Sequence, residues 1–227
     1  FEINALGTMN VLEAVLQNNI ELMVYASSSE VYGSSEDKMM NENHVLNPAS
    51  PYGASKLAAD RMCFAYHSTY KLPVVIVRCF NTYGIRQADS GYAAVIPQFI
   101  RRAIQGLPPI IYGDGKQTRD YMYVKDTVSA YDTVLNNYRK LLGRALNFGT
   151  GKDVSISEIA GRIIKLCDLK VLPVYAPERP GEVKRLCADT SLSKRLCGFE
   201  SKYDIEQGLR ELVQWYREGR YEAWGYS

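Results

Sequence analysis

Tyr52 and Lys56 stand four residues apart in Pro51-Tyr-Gly-Ala-Ser-Lys56, and the run Ser27-Ser28-Ser29-Glu30 precedes them. On a helix, positions i and i+4 share a face, so the phenol and the ammonium project together. A lysine charge beside a phenol favours the phenolate, lowering its pKa from about 10. A base works best when its pKa lies near the operating pH. A serine hydroxyl can hold the same substrate oxygen, and a carboxylate can move a second proton. These residue types suit alcohol oxidation by hydride transfer, with elimination or epimerisation as a following step. Alone, Tyr-x-x-x-Lys equally suits an exposed pair on a solvated helix face, and serines commonly fill turns.

The elements around these residues give them a common address. The apolar run over 21–26 reads as a buried parallel strand ending at Ser27. Asn47-Pro-Ala-Ser-Pro51 is turn chemistry that leads into a helix over 52–70. The run over 73–78 is a second buried strand, and its end carries Cys79-Phe80-Asn81. In open α/β sheets, ligands gather at such carboxyl ends. Periodicity predicts helices near 5–18, 95–105, 124–136, 157–166 and 204–216, and strands at 109–112, 145–148 and 171–175. Ser155 is a candidate cap in Ser-x-x-Glu. The stretch 113–120 reads as turn and 177–182 as loop. Strands alternating with helices argue for an α/β fold with a parallel sheet.

Size and charge narrow the function classes. A chain of 227 residues holds one large domain, or a domain with a small lobe. A net charge of +2 without a basic run argues against nucleic acid as a partner. No apolar run approaches the roughly 18 residues of a membrane span, so no membrane role is expected. Five widely spaced cysteines without Cys-x-x-Cys fit a reducing, cytoplasmic setting. Two histidines offer little for a metal site, and none is expected. The chain starts at Phe1 and runs straight into a helix pattern, which reads as the interior of a domain without a signal peptide.

Seven segments together resemble the extended short-chain dehydrogenase/reductase family, in its nucleotide-sugar epimerase and dehydratase branch. They are Asn4-Ala-Leu-Gly-Thr8, Ser27–Gly33, Tyr52–Lys56, Arg78-Cys-Phe-Asn-Thr-Tyr-Gly84, Gly113–Asp120, Asn147-Phe-Gly-Thr-Gly151 and Arg179-Pro-Gly-Glu182. They cover the chain in order. The resemblance implies a Rossmann-like parallel sheet that binds NAD, less often NADP, and a smaller C-terminal α/β lobe for a nucleoside-diphosphate sugar. It places the first part over 1–90 and the lobe mainly over 91–227, with some later segments returning to the sheet. Tyr52 would take the proton of the sugar 4-hydroxyl, Ser28 would bind that oxygen, and Lys56 would hold the nicotinamide ribose. Asn4, Ser27 and Cys79 would lie near the cofactor. Asn81, Arg119 and Arg179 would contact the diphosphate, and Glu182 the nucleoside ribose. The resemblance further implies a homodimer through the helices near 5–18 and 52–70.

Ser29 and Glu30 bear on the reaction. In family dehydratases a Glu before Val-Tyr-Gly removes the C5 proton of a 4-keto sugar, and simple 4-epimerases usually lack it. Here Ser29 stands where some dehydratases carry Asp, and Ser-Glu also occurs in nucleotide-uronate decarboxylases. A 4,6-dehydratase is the leading expectation, with a 4-epimerase or a uronate decarboxylase as alternatives. No Gly-x-x-Gly-x-x-Gly follows a strand here. At about 30 residues per βαβ unit, roughly 80 residues of such a domain, including its N-terminal strands, would be missing. The 227 residues alone are then expected to bind NAD weakly and to be inactive. A non-catalytic, nucleotide-sugar-binding remnant is the alternative of another class.

Overall fold

Val74–Cys79, the strand β2, is buried along nearly its whole length, as expected for the centre of a parallel sheet. It pairs in parallel with β1 (Met23–Ala26) on one side and β6 (Ala145–Phe148) on the other. Successive side chains of β2 point to opposite faces. Val74 and Ile76 pack with Leu12 and Val15 of α1 (Gly7–Gln17) and Ala59 and Cys63 of α2 (Pro51–Tyr70). Val75 and Val77 pack with Ala130 and Val134 of α4 (Val124–Leu141). The sheet thus has helices on both faces, the Rossmann-like α/β arrangement expected. This computed structural model describes residues 1–35, 39–88 and 95–220.

One residue beyond β2, the chain enters a second sheet. Its first strand, β3 (Asn81–Tyr83), pairs in parallel with β5 (Thr118–Tyr123). β5 also pairs antiparallel with β7 (Asp153–Ser155) and in parallel with β9 (Arg185–Leu186). Against this sheet lie α3 (Val95–Ile104), α5 (Ile156–Leu166) and α7 (Ile205–Arg217), joined through Phe99, Ile163 and Leu212. A separate parallel pair joins β4 (Ile110–Tyr112) to β8 (Val174–Ala176). The later elements α4, β6 and α6 (Ser191–Cys197) pack back on the first sheet. The boundary expected at residue 90 falls outside the described residues.

Several elements differ from the sequence expectation. The stretch 113–120 is not all turn, because β5 begins at Thr118. Its charges are buried with partners. Arg119 pairs with Glu182 at 2.6 Å. The Asp120 carboxylate accepts hydrogen bonds from Thr150, Gly151 and Ala188. The first helix opens with a π-helical turn over Glu2–Leu6, α4 extends to Leu141, and β8 starts only at Val174. The Ser155 capping box with Glu158 forms as expected. No helix among the described residues is long and apolar enough to cross a membrane.

Candidate active site

Two local structures bring the catalytic candidates together. At the end of β1, Ser28 accepts a hydrogen bond from the Glu30 amide and so starts a 3-10 turn over Ser29–Val31. Across from it, Ser50 caps α2 by accepting from the Gly53 amide at 3.0 Å, with Pro51 in the first helical position. Tyr52 therefore stands in the first turn of α2, close enough to Ser28 for that hydroxyl to favour its phenolate. Gly53 permits this approach: a Cβ there would lie 2.7 Å from the Glu30 carbonyl oxygen.

Lys56 donates to the Ala26 carbonyl at 3.0 Å, and its Nζ lies 6.0 Å from the Tyr52 ring centre. The expected fall in the Tyr52 pKa is not found here. Burial raises it, the Glu30 charge raises it further, and only the Ser28 bond acts downward. Burial likewise lowers the Lys56 pKa. The physical reason is that Lys56 spends its ammonium on a backbone carbonyl at the strand end, while the phenol, 47% exposed, is only partly covered and gains no cation.

A cavity of about 680 Å³ opens at the carboxyl ends of β1 and β2. Ser27, Ser28, Ser29, Glu30, Tyr52, Cys79 and Asn81 all line it. Burial pushes the Cys79 thiol up to about 12, so it is no nucleophile at neutral pH. The Ser27 hydroxyl donates to buried Asp60, which also takes two hydrogen bonds from Arg78. Asn4 does not line the cavity; its side chain donates to Ser55 on α2, which in turn donates to the Tyr52 carbonyl.

A second, narrower cavity shares Glu30 and Asn81 and adds Arg119, Arg179 and Glu182. Arg119 and Glu182 are bound to each other, and the Arg179 guanidinium lies 3.9 Å from the Tyr112 ring centre. Except for Asn4 and Lys56, the predicted residues thus line two adjoining chambers that share Glu30 and Asn81. Sequence reasoning missed four residues here. Ser50 donates to Glu30 Oε2 at 2.7 Å, and Gly53 sets the helix approach. Gln87 and Tyr121 line the larger cavity, and Gln87 Oε1 and the Tyr121 hydroxyl, like Asn81 Oδ1, are buried without a hydrogen-bond partner. Ser50 was findable as a Ser-Pro helix start, but neither Gln87 nor Tyr121 carries a local signal.

The strand-end cluster fits the nicotinamide end of a dinucleotide, because Ser27, Tyr52 and Cys79 face one cavity at a parallel sheet's carboxyl edge. No glycine-rich loop follows β1 or β2, so the pyrophosphate anchor is not among these residues.

This fold and site define an extended short-chain dehydrogenase/reductase. The sequence profile described as GDP-mannose 4,6 dehydratase matches residues 1–212, and the chain belongs to that family of NAD-dependent nucleotide-sugar epimerases and dehydratases. A UDP-N-acetyl-alpha-D-glucosaminuronate decarboxylase of Bacillus cytotoxicus is 37% identical over 228 residues, covering 96% of this chain and 70% of its own. The crystal structure of a dTDP-glucose 4,6-dehydratase from Streptomyces venezuelae, with NAD and TYD bound, is 30% identical with a TM-score of 0.92, covering 98% of this chain and 69% of that one. A UDP-N-acetylglucosamine 4-epimerase from Methanobrevibacter ruminantium M1, in complex with UDP-N-acetylmuramic acid, is 33% identical with a TM-score of 0.88, covering 96% and 70%.

Proposed function

We propose that this protein is an NAD-dependent nucleotide-sugar 4,6-dehydratase working through a 4-keto sugar. NAD, when bound, would supply the acceptor for the C4 hydrogen and, once reduced, the hydride that returns to C6 as a proton returns to C5, so that the net change is loss of one water. Tyr52 removes the proton of the sugar 4-hydroxyl, and Ser28 holds that oxygen. Lys56 and Ser27 hold the nicotinamide end, beside Asn4 and the backbone at Cys79. Glu30 takes the C5 proton, made acidic by the neighbouring ketone, and the C6 hydroxyl leaves as water beside Ser29. Asn81, Arg119 and Arg179 receive the diphosphate, for which arginine is suited by its planar fork. Glu182 receives the nucleoside ribose. The first 90 residues form the cofactor part, with α4, β6 and α6 returning to it, and the remainder forms the sugar lobe.

The observation that carries this reading is a carboxylate, Glu30, in the same cavity as Tyr52 and Ser28. A second reading, a 4-epimerase, is favoured by Ser29, whose hydroxyl is a weak acid for expelling water. Exposed Leu6 and Val11 beside α2 support a homodimer through α1 and α2, and five free thiols support a cytoplasmic setting. Incubating an NAD-binding form of the protein with nucleotide hexoses and weighing the products tests the proposal. Loss of one water supports dehydration. An unchanged mass with altered retention means epimerisation, and no turnover of any nucleotide sugar overturns the enzyme reading.

A further inference from the structure

Among the described residues lining the larger cavity, Glu30 carries the only formal charge. Arg119 and Arg179 line the smaller chamber instead, and Arg119 is held by Glu182 at 2.6 Å. Lys56 turns its ammonium to the Ala26 carbonyl and is not part of the lining. A carboxylate entering the larger cavity of this chain would lose water, meet Glu30 and find no cationic side chain among the described lining residues. Like charges in a partly desolvated site repel far more strongly than in bulk water.

Three residues that line the same cavity each bury a neutral polar atom that lacks a partner. Asn81 Oδ1, Gln87 Oε1 and the Tyr121 hydroxyl are buried and make no hydrogen bond. Asn81 and Tyr121 stand opposite each other in the β3–β5 register, and Tyr121 is only 6% exposed. Gln87 sits just beyond, on a turn closed by its amide bonding the Gly84 carbonyl at 3.2 Å. Buried polar groups are rarely left unpaired. Amide and phenol groups can each donate or accept, which suits the hydroxyls or amide of a neutral sugar.

We infer that this cavity takes a neutral hexose or N-acetylhexosamine unit and rejects a uronate, with Gln87 and Tyr121 setting that choice. The inference rests on the nucleotide-sugar reading above and excludes the uronate decarboxylase among its alternatives. Calorimetry with UDP, UDP-glucose and UDP-glucuronate tests it on the 227-residue chain. UDP-glucose should bind at least about tenfold more tightly than UDP-glucuronate. Gln87→Arg, which adds a cation, should narrow that ratio by about tenfold or invert it. Tyr121→Phe should weaken UDP-glucose relative to UDP. If UDP binds but UDP-glucuronate binds as tightly as UDP-glucose, the inference fails and the nucleotide-sugar reading stands. If none of the three binds, both fail together.

Discussion

The hydroxyl of Ser50 donates a 2.7 Å hydrogen bond to Glu30 Oε2 while accepting the Gly53 amide of the helix that carries Tyr52. One side chain thereby fixes the carboxylate assigned to C5 and caps the helix that bears the phenol assigned to the 4-hydroxyl. Ser50→Ala should cost about 1 kcal/mol of stability through the lost cap. In a form of the protein that turns over nucleotide sugar, it should also slow C5 proton exchange about tenfold or more, a fraction of what a lost general base costs. The transient absorbance of reduced nicotinamide should persist, and Ser50→Thr should restore exchange. Equal loss of both signals would make Ser50 a helix cap alone.

Tyr52→Phe removes the group assigned to the 4-hydroxyl proton. Turnover should fall by about 100-fold or more, the scale of a lost general base. Near-normal turnover in steady-state assays would remove Tyr52 from the mechanism. Ser28→Ala leaves the phenol in place, so it should depress turnover less than Tyr52→Phe does.

The strand ends and the Tyr52 helix were legible because each is local: a Val/Ile run, a Ser-Pro start, an i,i+4 pair. β5 was not, because Thr118-Arg-Asp-Tyr reads as polar turn. Its charges become tolerable in a strand only through Glu182, 63 residues on from Arg119, and through the 150–151 loop and Ala188. The same reason hid Tyr121, whose place in the cavity depends on β3 lying beside β5. Pairing Tyr52 with Lys56 was readable from spacing. That Lys56 would turn to the Ala26 carbonyl depended on where β1 ends.

Beneath Ser27 lies a buried ion pair. Arg78, 1% exposed, sends Nε and Nη2 to Asp60, each at 2.9 Å, and Nη1 to the Tyr32 hydroxyl. Burial works against the Arg78 charge, but its bonds to Asp60 and Tyr32 more than reverse that and raise its pKa. Asp60→Asn leaves a buried guanidinium without its counter-charge, and urea unfolding should show a loss of about 3–5 kcal/mol. Replacing both, Asp60→Leu with Arg78→Met, should recover most of that loss, since apolar pairs of similar volume often match buried ion pairs.

Acid should loosen the junction of β5, β7 and β9. Asp153 accepts two hydrogen bonds from Arg185 and one from Thr118. Burial alone would raise its pKa, but these bonds outweigh it and hold the carboxyl at about 2, below its ordinary 3.8. A depressed carboxyl contributes stability that is full above its unfolded pKa and fades as pH falls towards the folded one. Partial exposure keeps the effect to about 1–2 kcal/mol. Asp153→Asn should therefore be less stable than the parent at pH 7 by that amount. The gap should close between about pH 4 and pH 2. A gap independent of pH in urea titrations would show that the charge is not its source.

Gly53 offers the sharpest separation of geometry from stability. It follows Tyr52 directly, and a Cβ there would lie 2.7 Å from the Glu30 carbonyl and 3.0 Å from Pro48 Cβ. The first contact is backbone and cannot swing aside, so the α2 start must move away from the Ser29–Val31 turn. Alanine is the better helix former by about 1 kcal/mol, which offsets part of the strain. Gly53→Ala should thus change the unfolding free energy little. It should still lower turnover about 100-fold, because a displacement near 1 Å is enough for such a loss. Nucleotide binding, assigned above to the other chamber, should change less than turnover does. If turnover and stability instead fall together, the contact serves the fold and Tyr52 has freedom that the helix start does not control.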